Sequence, residues 1–409
     1  METGTSPAPP AADTRTLRRR WYVLSAARES LPVFAVYALF MQARGASPAE
    51  ISALLAIWSI AAFVFEVPSG VLADRFDRVW VMACSRVLQA AAFALWWYWP
   101  TFPGFALGFV LWGLAGAMWS GTNEAWLFEA LHARAAGEQY ERIYAAGSAW
   151  ASVGICIALA SGGLLASQGF GWTILASCCA CIAVAILTRA WLPTVGRTTA
   201  AHGGPRLPPL RAALADYRAS AGAREAASAL ALGFVFFACF EEYVGLVFDA
   251  GGVPLAELGF AYAACYAARA GAQASMGRFG MPAPKGDALA ALLCSGVILG
   301  AGMLLATAGL GAIGLFVGLL GYFAASGVAE VRIVSMLQRE QGGDGRATLM
   351  SLARLGLLAT GPIVYAAIAA LATPYGWLSS VWFSAVGTVL VAGLLMVLRG
   401  RRRSGRSAR

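Results

Sequence analysis

The sequence predicts an all-α polytopic membrane protein whose twelve transmembrane helices form two six-helix halves. Three observations carry this expectation. Apolar residues make up 59% of the chain and charged residues 12%, and mean hydropathy is +0.67, far from the balance of a soluble globular domain. Apolar stretches of about 20 residues, the length that crosses a bilayer's hydrocarbon core, recur along nearly the whole chain. Arginines gather in alternate connections between those stretches.

Residues 1–20 are polar, contain prolines and end in Arg18, Arg19 and Arg20; they read as a cytoplasmic tail. No small-residue cleavage site follows a short apolar core, so the first stretch is expected to be a retained helix. The first half, residues 21–193, holds spans at 21–43, 50–72, 79–99, 104–131, 143–167 and 172–192. Residues 194–224 are polar and rich in Gly, Pro and Arg, with Gly203-Gly204-Pro205-Arg206-Leu207-Pro208-Pro209 at their centre. Lacking apolar periodicity, this segment reads as a tether between halves and not as a packed domain. The second half, residues 225–398, holds spans at 226–248, 256–277, 288–308, 311–337, 347–371 and 377–398, and 399–409 form a basic tail.

The charge pattern predicts orientation. Arg15 and Arg18 to Arg20 precede the first span, and six arginines between Arg399 and Arg409 follow the last. Connections on the same side carry Arg75, Arg78, Arg134, Arg142, Arg206, Arg278, Lys285, Arg339 and Arg346, among others, whereas the short opposite connections hold only Arg44. The positive-inside rule therefore places both termini in the cytoplasm, which requires an even number of spans. The net charge of +9 follows from this topology, with lipid headgroups as the basic tail's partner and no role in nucleic-acid binding. A bacterial inner membrane is the expected location.

All eight cysteines fall inside spans without a matched pair of C-x-x-C motifs, and His132 and His202 stand alone, so no metal site is expected. An internal repeat supports two related halves. Ser120-Gly121-Thr122-Asn123-Glu124 recurs as Ser326-Gly327-Val328-Ala329-Glu330, 206 positions on, and Gly45 and Pro48 match Gly251 and Pro254 at the same offset.

The most informative stretch is Gly70-Val71-Leu72-Ala73-Asp74-Arg75-Phe76-Asp77-Arg78, read as a charged loop between the second and third spans. It resembles the signature loop of the major facilitator superfamily, roughly G-x-L-a-D-r-x-G-r-r. Gly70, Leu72, Asp74, Arg75 and Arg78 match, and Asp77 stands where the family usually has glycine. Phe65 to Gly70, Gly121 to Ala125 and Arg346 to Thr348 look like a branch of bacterial permeases commonly described as efflux proteins. In the fifth span, Gly154, Gly162 and Gly163 match an antiporter pattern, with Leu159 in place of its proline; a close helix interface of small residues explains them equally well. The resemblance covers residues 18–398 and implies alternating access between two six-helix halves, with the loop gating conformation. Asp74 is expected near the start of the eleventh span at Arg346, with Arg78 completing a charge network.

Charges inside spans are the remaining functional signal, because burying each costs several kcal/mol unless it is paired or hydrated. Arg28 and Glu29 lie about 12 Å into the first span at 1.5 Å per residue, with Arg354 at similar depth in the eleventh and Arg269 near the middle of the eighth. Glu241 and Glu242 occupy the outer half of the seventh. These six are the candidate proton and substrate residues, with ion pairing between helices as the alternative; Glu29 is the first choice for a proton-linked carboxylate. Glu66, Glu124, Glu129 and Glu330, nearer the cytoplasmic ends, are expected to form gating pairs with arginines such as Arg142.

The resulting expectation is a secondary-active transporter, not an enzyme, exporting a small amphipathic compound by proton antiport. Alternatives are a proton-coupled importer of a small anionic nutrient, or a scaffold or receptor on a transporter fold. No G-x-x-x-x-G-K-[ST] loop occurs, so ATP coupling within the chain is not expected. The chain is expected to act as a monomer without cofactor, with a small-molecule substrate, the proton and the lipid bilayer as its partners.

Overall fold

The computed structural model describes residues 11–195, 221–278, 288–339 and 346–407, and every regular element within them is helical. Nine helical stretches among the described residues are long and apolar enough to cross a membrane. One of these, Ala288–Met336, holds two spans, α12 (Ala288–Leu305) and α13 (Gly311–Arg339). The chain reverses between them at Gly309 and Gly311, whose φ of 111° and 47° suit glycine. The remaining two of the twelve are the more polar first and eighth spans.

The first span departs from the uninterrupted 21–43 that hydropathy suggests. Its helix α1 runs Ala11–Glu29, reaching back into the expected tail, and then breaks. Pro32 has no N–H and cannot continue the ladder, so Pro32–Ala35 form a 3₁₀ turn and α2 resumes at Tyr37–Ala43. The amide of Val33 donates to Ser177 Oγ at 2.9 Å. The freed backbone is thereby satisfied inside the protein, as a membrane interior demands.

α3 (Pro48–Arg75) starts with a capping box, in which Ser47 Oγ accepts from Glu50 N and Ser47 N donates to Glu50 Oε2. It is followed by α4 (Arg78–Tyr98), α5 (Phe102–His132), α6 (Tyr140–Gln168) and α7 (Phe170–Trp191). The seventh span is also broken, into α8 (Ala221–Ser228), a π-helical stretch Ala229–Phe234, α9 (Val235–Phe240), a 3₁₀ turn Glu241–Tyr243 and α10 (Val244–Ala250). Here Thr360 Oγ1 donates to the Ala231 carbonyl at 2.8 Å. Tyr37, which opens the helix after its 3₁₀ turn, and Tyr243, which ends its own, are 206 positions apart, the offset of the sequence repeat. The chain ends with α11 (Leu255–Arg278), α12, α13, α14 (Arg346–Tyr375) and α15 (Leu378–Ser407).

Within the first half α4 packs on α5 and α7, and α1 on α6; in the second, α12 packs on α13 and α15, and α11 on α13. The halves meet along α6 against α11 and α3 against α14.

The stretch expected as a charged loop is largely helix. α3 continues to Arg75, and only Phe76 and Asp77 connect it to α4. Asp77 caps α4, its carboxylate accepting from Val79 N at 2.8 Å and from Thr194 Oγ1 at 2.9 Å. Aspartate at the family's glycine position is thus a helix cap. Asp77→Ala is expected to lower stability by about 1 kcal/mol, the usual loss for such a cap, read as a fall of about one degree in thermal unfolding for a chain of this size.

Candidate functional site

Two ends of the bundle can be distinguished. One carries the start of α1 and the end of α15 (the basic end), and the opposite end carries α2, α10 and their turns. At the opposite end the halves are joined by reciprocal tyrosines. Tyr37 OH donates to Glu242 Oε2 at 2.5 Å, and Tyr243 OH donates to Ser52 Oγ at 2.9 Å. Trp377 Nε1 donates to Gln42 Oε1 at 2.6 Å, and Ser59 Oγ to the Leu358 carbonyl at 3.0 Å. Beneath them α6 and α11 touch through glycine: a Cβ on Gly163 would lie 2.7 Å from Gly259 N, and one on Gly259 2.4 Å from the Leu159 carbonyl oxygen. Phe40, Met41, Leu246, Val247 and Phe248 are buried there. This end is closed.

Glu241 and its neighbour face different partners, because adjacent helical positions diverge. Glu241 Oε2 accepts from Tyr266 OH at 3.0 Å and from Arg269 Nη1 at 3.4 Å. Arg269 also donates to Glu330 Oε2 at 2.8 Å, Gln273 Nε2 donates to the same oxygen at 2.9 Å, and the guanidinium lies 4.6 Å from the Phe237 ring centroid. One arginine thus holds two carboxylates from α13 and the broken seventh span. Glu330 was expected to pair with arginines of the basic end; it pairs instead with Arg269, because α11 and α13 pack side by side. Glu242 has no cation within 4.0 Å among the described residues, and its carboxylate partner is the neutral phenol of Tyr37.

In the first half Arg28 pairs with the adjacent Glu29. The Arg28 guanidinium lies 5.3 Å from the Trp119 ring centroid, and Arg86 of α4 lies 4.6 Å from the same ring. Sequence reasoning passed over Arg86, although an arginine eight residues into an apolar helix was a visible signal. It also passed over Tyr37 and Ser52, whose importance depends on the other half.

At the basic end Arg78 pairs with Glu129, and the two line a cleft of about 110 Å³ with Arg75 and Asp77. Tyr144 OH donates to Glu124 Oε1 at 2.8 Å, and Arg134 Nε to Asp13 Oδ2 at 2.8 Å. Gly70, Glu66 and Arg142 are exposed. Asp74, Arg346 and Arg354 belong to α3 and α14, but their side chains lie outside the described residues, as do residues 196–220 of the expected tether 194–224. Among the described residues no cluster of His, Cys, Asp and Glu forms a metal site.

A sequence model of the major facilitator superfamily matches residues 22–352. The chain belongs to that superfamily. Its fold agrees with solved superfamily transporters at low sequence identity. The nucleoside transporter NupG superimposes with a TM-score of 0.75 at 14% identity, covering 94% of this chain and 98% of that one. The D-xylose-proton symporter gives 0.70 at 13%, covering 94% and 97%. A bacterial homologue of the human lysosomal transporter Spinster, inward-facing and unoccupied, gives 0.69 at 13%, covering 96% and 97%. No curated protein matches the sequence.

Proposed function

We propose that this major facilitator protein is a proton-coupled secondary transporter of the bacterial inner membrane, with both termini cytoplasmic, exporting a small amphipathic compound. The observation that carries proton coupling is Glu242. A fixed guanidinium competes with a proton for a carboxylate; Glu29 has Arg28 and Glu241 has Arg269, whereas among the described residues the side-chain partner of the Glu242 carboxylate is a phenol from the opposite half. A hydrogen bond to a carboxylate is roughly twice as strong as one to a neutral acceptor. Proton occupancy of Glu242 therefore changes how firmly the halves are held together at the outer end. Such a link between a proton and the closure of one gate is what secondary-active coupling requires.

Export rests on the likeness of Phe65 to Gly70, Gly121 to Ala125 and Arg346 to Thr348 to efflux permeases. Import is the second reading, favoured by the fold's agreement with a D-xylose-proton symporter. A panel of toxic compounds and growth substrates, tested with the gene deleted and overexpressed, separates them. Export gives resistance on overexpression, import gives a growth or uptake defect on deletion, and neither phenotype across the panel would overturn the transporter reading. In the same cells, deletion of residues 203–209 is expected to leave the phenotype intact; its loss despite normal membrane insertion would contradict the tether.

A further inference from the structure

We propose that the first half contains an anion-binding subsite made by Arg28, Arg86 and Trp119, and that the transported solute presents an acidic group to it. Arg86 projects from α4 about 12 Å from the basic end, at 1.5 Å per residue, and is 5% exposed. No carboxylate lies within 4.0 Å of it among the described residues, and its hydrogen bond is from Nε to Ser85 Oγ at 3.4 Å. Arg28, which shares the Trp119 ring with it, is bound to Glu29. Glu124, further toward the basic end, is held by Tyr144. One positive charge is therefore left over in a buried place. Stacking on Trp119 recovers only part of the hydration that such a guanidinium gives up.

The neighbouring polar atoms point the same way. Among the described residues Trp21 Nε1, Trp119 Nε1 and Arg28 Nε are buried without a partner, and all three are donors. An unsatisfied acceptor, Gln89 Oε1, sits one turn along α4, but its amide can be turned to offer N–H groups instead. A cluster of donors with surplus positive charge lacks an acceptor that brings negative charge. Carboxylate, sulfonate and phosphate each supply one, and a guanidinium fork matches their geometry.

Beside this cluster a cleft of about 200 Å³ opens between α1, α5 and α6. Trp21, Ser25, Asn123 and Tyr144 line it together with Arg28 and Trp119, as does Glu124, whose carboxylate accepts from Tyr144 OH at 2.8 Å. The acid group is assigned to the arginines, and the body of the solute to this aromatic and hydroxyl-bearing wall. The solute is therefore a small organic anion. Its identification as cargo rests on the transporter reading; its binding does not.

The test is equilibrium binding to the full chain in phosphatidylcholine nanodiscs, at constant ionic strength and with no proton gradient. Failure here leaves the Glu242 reading untouched, and the reverse holds too. The probes are matched pairs: benzoate with benzamide, and phenyl phosphate with phenol. The acid of a pair is expected to raise the unfolding temperature where its neutral partner does not. Arg86→Gln is expected to weaken acid binding about tenfold or more, the usual loss for a hydrogen bond to a charged group, while Arg86→Lys keeps part of it. Equal effects of acid and neutral partner, or none from either, would overturn the subsite, as would acid binding unchanged in Arg86→Gln. Should the Gln variant fail to fold, the wild-type pairs still decide. Loss of the acid effect on adding phosphatidylglycerol would make a lipid phosphate the occupant and overturn the assignment to solute.

Discussion

Glu242→Gln is expected to abolish substrate-driven proton movement in liposomes while substrate binding persists. Glutamine keeps the size of the side chain and still accepts from Tyr37 OH, now found 2.5 Å from the carboxylate, but it cannot exchange a proton. Tyr37→Phe separates the two roles of this contact. It leaves the titratable group in place and removes the bond between halves, worth about 1.5–3 kcal/mol when the acceptor is charged. By that magnitude the balance between outer-closed and outer-open states moves about ten- to a hundredfold, with proton movement retained but slower. Glu29→Gln, whose carboxylate is already engaged by Arg28, is expected to retain proton movement. Full proton flux in Glu242→Gln would move the proton site elsewhere, and flux lost in Glu29→Gln alone would return it to the first span.

The second large effect is expected from Gly259→Leu. A Cβ there would stand 2.4 Å from the Leu159 carbonyl oxygen, with the backbone of Gly163 at about 3 Å. Backbone faces backbone, so no side chain can swing aside, and the helices must part. Overpacking of this kind costs typically 1–3 kcal/mol, and here the strain falls on the contact that joins the halves. Each half keeps its own packing, so insertion is expected to be normal while closure of the outer end fails and transport stops. Cys156 reports the change, because its Sγ lies 3.7 Å from the Ala263 carbonyl in the same interface. An impermeant maleimide added from the outer side is expected to label it several-fold faster in Gly259→Leu, with labelling mapped by mass spectrometry. Wild-type transport together with a protected Cys156 would show that this glycine pair does not set closure.

The span-five glycines show how a motif can be legible while its partner is not. Gly154, Gly162 and Gly163 stood out in sequence as small residues at helix-packing spacing. In the structure they serve two neighbours. Gly154 and Gly162 lie against the backbone of Ala26 and Pro32 in the first span, and Gly163 lies against Gly259 in the other half. Spacing marks a face but does not say what covers it. The signature stretch behaved similarly: Asp77 was visible as a departure from glycine, and its use as a cap appeared only once α4 was seen to begin at Arg78. Hydropathy missed the breaks in the first and seventh spans because a window long enough to find a span averages over a single turn. Pro32 was the one local sign.

Span number, the two halves and the segregation of arginines to alternate connections were determined by the sequence alone. A bilayer imposes a minimum apolar length on every crossing and a charge bias on every connection, and both are properties of short continuous segments. The pairing of embedded charges belongs to the tertiary structure. Glu241 and Glu242 are adjacent and chemically identical, yet one is bound to Arg269 and the other to Tyr37. Arg28 has an acid beside it, while Arg86 is left with a tryptophan ring. These differences arise from helices distant in sequence that meet in space, where a charge in a low-dielectric interior is governed by its few nearest neighbours.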